Sequence, residues 1–244
     1  MVDKLRIYWP IEPVLFNGKG INEAWRDEFL RVAPYELTDD PAQADVAFFC
    51  SDGMVDEKLI GKLPTCVYHW GFYHQRFFDP RYYEFVEQQM QLMSKCDFVL
   101  APSYITQYEL AHFRIPSVFL PAGVDTNLLD TMHRINKKEQ IMFLSRLVPH
   151  KHLETLIEAV SLLRPKIPLL VSGPGDTSEY EKQAERLKVP ITFCELTDTE
   201  KVQALAESMV LVHPSEYEGF SLPPLEALYL ETSVVVSDIP QHRH

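Results

Sequence analysis

Short apolar runs alternate with longer amphipathic ones along most of the 244-residue chain. Runs of three to five residues at 5–9, 46–50, 66–70, 98–101, 118–120, 141–144, 169–172, 191–193, 210–213 and 234–237 are mostly apolar on both faces. Strands of that kind belong inside a parallel sheet covered by helices. Between them, apolar positions recur at helical spacing over 21–32, 82–95, 105–113, 153–163, 179–187, 200–207 and 222–230. Alternation of this kind predicts an α/β fold made of doubly wound, Rossmann-like sheets.

The rhythm breaks near 121–140. Pro121, Gly123 and Asp125 make a turn-rich stretch, and a polar, basic segment runs on to Gln140. Two domains are expected, 1–125 and 126–244, the second incomplete because the chain stops just after the run at 234–237. The basic cluster of His133, Arg134, Lys137 and Lys138 reads as a solvated linker. The formal net charge is -12, with 11 basic against 18 acidic residues up to Asp125 and 12 against 17 beyond it. Neither half is basic, so nucleic acid is excluded as a partner and no strong membrane signal is present. No apolar run approaches a membrane span, and the first run is too short and too early for a signal peptide. Cys50, Cys66, Cys96 and Cys194 form no CxxC pair and suit neither zinc nor a disulfide framework, so a cytoplasmic protein without a metal site is expected.

Three places concentrate chemistry. Ser145-Arg146 ends a strand and Lys151 follows on the same loop; these are a guanidinium fork and a point charge where a diphosphate could be held, or else two solvated cations. Gly173 and Gly175 follow the run at 169–172, where glycine lets the backbone approach a ligand closely, although an ordinary strand-to-helix turn would look the same. The densest segment is Pro214-Ser-Glu-Tyr-Glu-Gly-Phe-Ser-Leu-Pro-Pro-Leu-Glu226. Ser221 is expected to cap the next helix, with Pro223 and Pro224 in its first turn. The amides of Gly219, Phe220, Ser221 and Leu222 would then offer an anion site. Glu226 is placed to bind ribose hydroxyls, and Glu218 lies nearer the sugar.

Glu218 and Glu226 match the EX7E motif, and this segment, with Ser145-Arg146, Lys151 and Gly173-Pro-Gly175, resembles the retaining GT-B glycosyltransferases of family 4. The likeness is strong over 141–243 and weaker earlier, in Pro121-Ala-Gly-Val-Asp125 and at Ser103. It implies a metal-independent hexosyltransferase that moves a hexose from a nucleoside diphosphate sugar to the hydroxyl of a saccharide or other acceptor, without a further cofactor. It also implies roles: Arg146 and Lys151 on the donor diphosphate, Glu226 on the ribose, Glu218 against the transferred sugar. The first domain would carry the acceptor side. There the resemblance points to His69, at the end of the run at 66–70, with Asn17-Gly-Lys-Gly20 as a loose counterpart of the family's first glycine loop. The aromatic segment from Tyr68 to His74 could stack on sugars, whereas Tyr82, Tyr83 and Phe85 read as helix core. Where the chain ends, the family continues, so an exposed seam covered by a second copy is expected. The alternatives are a non-catalytic module that binds a nucleotide sugar or a partner, and a dinucleotide-dependent oxidoreductase. The missing GxGxxG argues against the last.

Overall fold

The computed structural model describes residues 4–10, 35–71, 83–132 and 135–243. The expectations at 17–20, at 21–32 and at His74, Tyr82, His133 and Arg134 lie outside them. The described residues up to Ala122 form one compact unit, and those from Gly123 onward form a second.

In the first unit six parallel strands are β1 (Arg6–Tyr8), β2 (Glu36–Thr38), β3 (Val46–Phe49), β4 (Thr65–Tyr68), β5 (Phe98–Ala101) and β6 (Val118–Phe119), in the order β2-β1-β3-β4-β5-β6. Helices α1 (Tyr83–Met93) and α2 (Tyr104–His112) accompany them, and Ser103 caps α2 by accepting the Thr106 amide at 3.1 Å. The core closes on Ala47, Phe49, Val67, Met93, Val99, Leu110 and Ile115. Burying these apolar side chains is the main favourable term in folding this unit. Strand β2 escapes the hydrophobic pattern because Glu-Leu-Thr has no apolar run; its backbone pairing with β1 makes it a strand. The reading of Tyr83 and Phe85 as helix core is corrected: both are exposed, and the buried positions of α1 are Gln89 and Met93, one turn apart.

The second unit opens with a short helix, α3 (Thr126–Leu129), capped by Asp125, whose carboxylate accepts the Asn127 and Leu128 amides. Its five parallel strands are β7 (Lys138–Leu144), β8 (Leu169–Ser172), β9 (Ile191–Cys194), β10 (Ser208–His213) and β11 (Ser233–Val236), in the order β11-β10-β7-β8-β9. The crossovers carry α4 (Leu153–Leu162), α5 (Ser178–Leu187), α6 (Asp198–Glu207) and α7 (Leu222–Tyr229). Strand β7 begins three residues before its apolar run because Lys138 pairs in register with Ser208 and Gln140 donates to Ser208 Oγ at 3.0 Å. Of the basic cluster, the two described lysines are therefore tied to the second unit. Lys137 reaches Thr232 Oγ1 at 2.5 Å, and Lys138 is ion-paired with Glu207. One core packs Phe143, Leu153, Ile157, Val160 and Val171 on one face of the sheet; another packs Met142, Leu205, Leu211 and Ala227.

After β7 the chain builds β8 and β9 on one side and then returns to build β10 and β11 on the other. The strand order thus reverses between β7 and β10, and open α/β sheets bind ligands at the carboxyl ends of strands at such a point. Among the described residues no helix is long and apolar enough to cross a membrane. The four cysteines are free, and burial pushes the Cys66 thiol up to about 12.

Candidate functional site

Three loops leave the carboxyl ends of the neighbouring strands β10, β7 and β8, and they are built against one another. Gly173 and Gly175 have φ of +146° and +143°. A Cβ on Gly173 would stand 1.9 Å from Ser145 O, and one on Gly175 2.5 Å from Leu147 Cβ. Backbone bonds finish the seam: Ser145 N–H donates to Ser172 O at 3.1 Å and Leu147 N–H to Pro174 O at 2.8 Å. What the glycines approach closely in this structure is the loop that carries Arg146 and Lys151.

That loop is also tied to the one after β10. The Glu216 amide donates to His150 O at 3.0 Å. His152, in the left-handed region at φ 54°, places its ring between Glu154 and Glu216, with Nε2 2.9 Å from Glu216 Oε2. At the centre Lys151 Nζ lies 2.5 Å from Glu218 Oε1, and His213 Nε2 meets the same oxygen at 2.6 Å. Lys151, His213 and Glu218 are all buried. Burial alone would push the Glu218 carboxyl up, but the His213 hydrogen bond and the Lys151 ammonium outweigh it and hold the group at about 2. An ionised carboxylate only accepts, so His213 donates to it from Nε2. Burial, with the nearby Arg146 charge, holds the Lys151 ammonium below its ordinary value, and the charge and hydrogen bond of Glu218 offset part of that shift. Next to it, burial and the charges of Lys151 and Arg146 hold His150 down at about 4. Arg146 itself is exposed at the start of the loop.

The segment after Glu218 turns into α7 with Pro223 and Pro224 in its first turn, as expected. Prolines there remove two amides that would otherwise need partners. Donors at this helix start therefore come from Gly219 to Leu222. The expected Ser221 cap is absent: its hydroxyl makes no hydrogen bond to the helix amides and lies 2.8 Å from His242 Nε2. Glu226, one turn in, is mostly covered and faces Lys201 of α6 at 3.6 Å. Lys201, His213 and His242 were not legible as site residues. A histidine closing an apolar strand reads as core, and His242 joins the cluster only through the tertiary fold.

An open groove bounded by Leu147, Pro149, Glu154, Asp176, Glu179 and Tyr180 adjoins the same loops. Its three carboxylates, Glu154, Asp176 and Glu179, would repel a diphosphate. Among the described residues, no group of three or more His, Cys, Asp or Glu side chains could hold a metal ion. His69 lies in the first unit, buried at the end of β4, with its amide donating to Leu100 O at 2.9 Å.

The chain is similar to known proteins in sequence and in fold. The O-antigen chain mannosyltransferase RfbU of Salmonella typhimurium is 26% identical over 176 residues, which cover 69% of this chain and 49% of that protein. A GDP-mannose-dependent alpha-mannosyltransferase of Mycolicibacterium smegmatis is 31% identical over 158 residues, covering 60% of this chain and 41% of that protein. The chain thus spans about half or less of these relatives' length. Among solved structures, Anabaena Alr3699/HepE in complex with UDP-glucose superposes with a TM-score of 0.72 at 16% identity, covering 98% of this chain and 82% of that one. Both units share the Rossmann-like fold class of the GT-B glycosyltransferases. Residues 128–244, which hold the whole loop cluster, match the family model of glycosyl transferases group 1.

Proposed function

We propose that the second unit binds a nucleoside diphosphate sugar and that the protein transfers its hexose, with retained configuration and without a metal, to an acceptor hydroxyl. The observation that carries this reading is the buried Lys151–Glu218–His213 cluster at the reversal point between β7 and β10, beside the α7 amides. Transfer leaves negative charge on the departing diphosphate and positive charge on the sugar. Preorganised charges aimed at such sites carry much of the rate of enzymatic reactions. Arg146, Lys151 and the amides of Gly219, Phe220, Ser221 and Leu222 suit the first charge; the Glu218 carboxylate suits the second. Glu226 would accept from the ribose hydroxyls. The relatives favour mannose as the hexose. His69 would serve the acceptor side in the first unit, and the acceptor would be a saccharide or another hydroxyl compound.

Calorimetric titration with GDP, UDP, ADP and inorganic pyrophosphate tests the donor site. One nucleotide is expected to bind. Arg146→Ala should weaken that nucleotide and pyrophosphate alike, by roughly tenfold or more, as expected for loss of a charge-assisted hydrogen bond. Glu226→Ala should weaken the nucleotide but not pyrophosphate, because its partner is the ribose. Equal weakening of both by Glu226→Ala would overturn the ribose assignment. No binding by any nucleotide would replace the catalytic reading with a partner-binding one.

A further inference from the structure

His242 follows β11 in a short helical turn, and nothing in the donor reading uses it. Its ring is clamped from both sides. Nδ1 lies 3.0 Å from Ser237 O, and Nε2 lies 2.8 Å from the Ser221 hydroxyl. A carbonyl oxygen only accepts, so Nδ1 carries a proton. In the neutral ring Nε2 is then a bare lone pair and must accept from Ser221. The other neutral tautomer would set a lone pair against the Ser237 carbonyl. The Ser237 hydroxyl does not alter this assignment, because it donates to Ser215 O and can only accept from His242.

With His242 neutral, the single proton of Ser221 is committed to the imidazole. Its oxygen then offers only lone pairs to whatever sits at the α7 amides. With His242 protonated, Nε2 donates to Ser221 and the hydroxyl proton is released. We propose that His242 is a positioning residue for the donor site: it sets the direction of the Ser221 hydroxyl, and taking up a proton turns that hydroxyl into a donor for the bound diphosphate. The inference rests on the donor reading above.

The groups around the ring fit this role. His213 of β10 meets it edge-on, with centroids 5.7 Å apart. Burial, and then the charges of His213 and Lys151, push the His242 proton off, while the Ser237 carbonyl and Glu218 hold it on; the net direction is downward. Arg243 and Asp238, on the same turn, are exposed and paired with each other. The free protein therefore presents a neutral ring at pH 7, and an arriving anion favours the protonated one. Linkage is reciprocal: the anion raises the affinity for the proton, and the proton raises the affinity for the anion.

The test is the dissociation constant of a nucleoside diphosphate sugar, whose bridging diphosphate keeps the same charge from pH 5.5 to 8. GDP-mannose and UDP-glucose are the probes. Binding is expected to be about three- to tenfold tighter at pH 5.5 than at pH 7.5, with net proton uptake measured in two buffers of different ionisation heat. His242→Gln keeps a hydrogen-bonding side chain that does not titrate and should flatten the profile. Ser221→Ala should flatten it as well, and provides the result if the first variant folds poorly. A pH-independent wild-type affinity, or an unchanged slope in both variants, overturns the inference while leaving the donor site intact. No binding of either probe at any pH overturns both.

Discussion

Replacing Glu218 by Gln is expected to lower turnover by at least about a hundredfold and to destabilise the second unit by roughly 3 kcal/mol at pH 7. The reason is the buried geometry. One carboxylate oxygen accepts from Lys151 Nζ at 2.5 Å and from His213 Nε2 at 2.6 Å. The amide oxygen of Gln can keep both hydrogen bonds but not the charge. Lys151 is then left buried without a counter-ion, which is costlier than losing both partners together. The pH dependence gives the claim its sign. Glu218 titrates at about 2 in the folded chain, below the ordinary carboxylate value of about 4.3. A carboxyl held down in this way contributes stability that is fully present above its unfolded value and is lost as the pH falls through the folded one. The difference between wild type and Glu218→Gln should therefore be largest above about pH 4.5 and shrink towards pH 2. Trp9, Trp25 and Trp70 all precede residue 123, so tryptophan fluorescence reports the first unit. Hydrogen exchange at Phe143 and Leu211, in the buried strands β7 and β10, reports the second. A difference that stays constant down to pH 2.5 would mean that Glu218 is not the charged partner of Lys151.

The sequence was informative where one physical rule decides the outcome. Ten apolar runs correspond to ten strands: the inner ones are covered on both faces, and the edge strands β6, β9 and β11 are apolar though only partly buried. β2 and the first three residues of β7 went unseen because backbone pairing, rather than side-chain burial, makes them strands. Lys151 and Glu218 were legible as separate candidates, one after each of two strands. That they share a buried ion pair depends on β7 and β10 being neighbours, and strand order is not written in local periodicity. Ser221 shows the opposite case. A serine before a helix predicts a cap, but the residues whose amides it would accept from are Pro223 and Pro224, which carry no N–H, and the hydroxyl turns instead to His242, 21 residues on. Tyr83 and Phe85 were misread for a related reason: aromatic character at a helix start does not say which side of the helix the sheet covers.

Gly173→Ala is expected to destabilise the second unit by about 3 kcal/mol or more and to weaken donor binding with it. The added Cβ would fall 1.9 Å from Ser145 O and 2.6 Å from Ser145 C, both backbone atoms that no rotamer change can move aside. The φ of +146° is itself strained for any side chain. Relief requires the β8 loop and the β7 loop to separate, and the β7 loop carries Arg146 and Lys151. Thermal unfolding of the second unit should move down by roughly 9–18 °C for such a loss. Gly175→Ala meets Leu147 Cβ at 2.5 Å and Leu147 O at 2.8 Å and should cost less, because part of that contact is a side chain. Gly123→Ala is the control: nothing lies within 4 Å of its added Cβ, so stability should stay within about 0.5 kcal/mol of wild type. The comparison separates two roles for a glycine after a strand. If Gly173 serves only the approach of a ligand, Gly173→Ala lowers affinity and leaves unfolding unchanged. If it serves the contact between the loops, the variant unfolds more easily with no ligand present, and the loss of affinity follows from the displaced cations. The distances to Ser145 favour the second outcome.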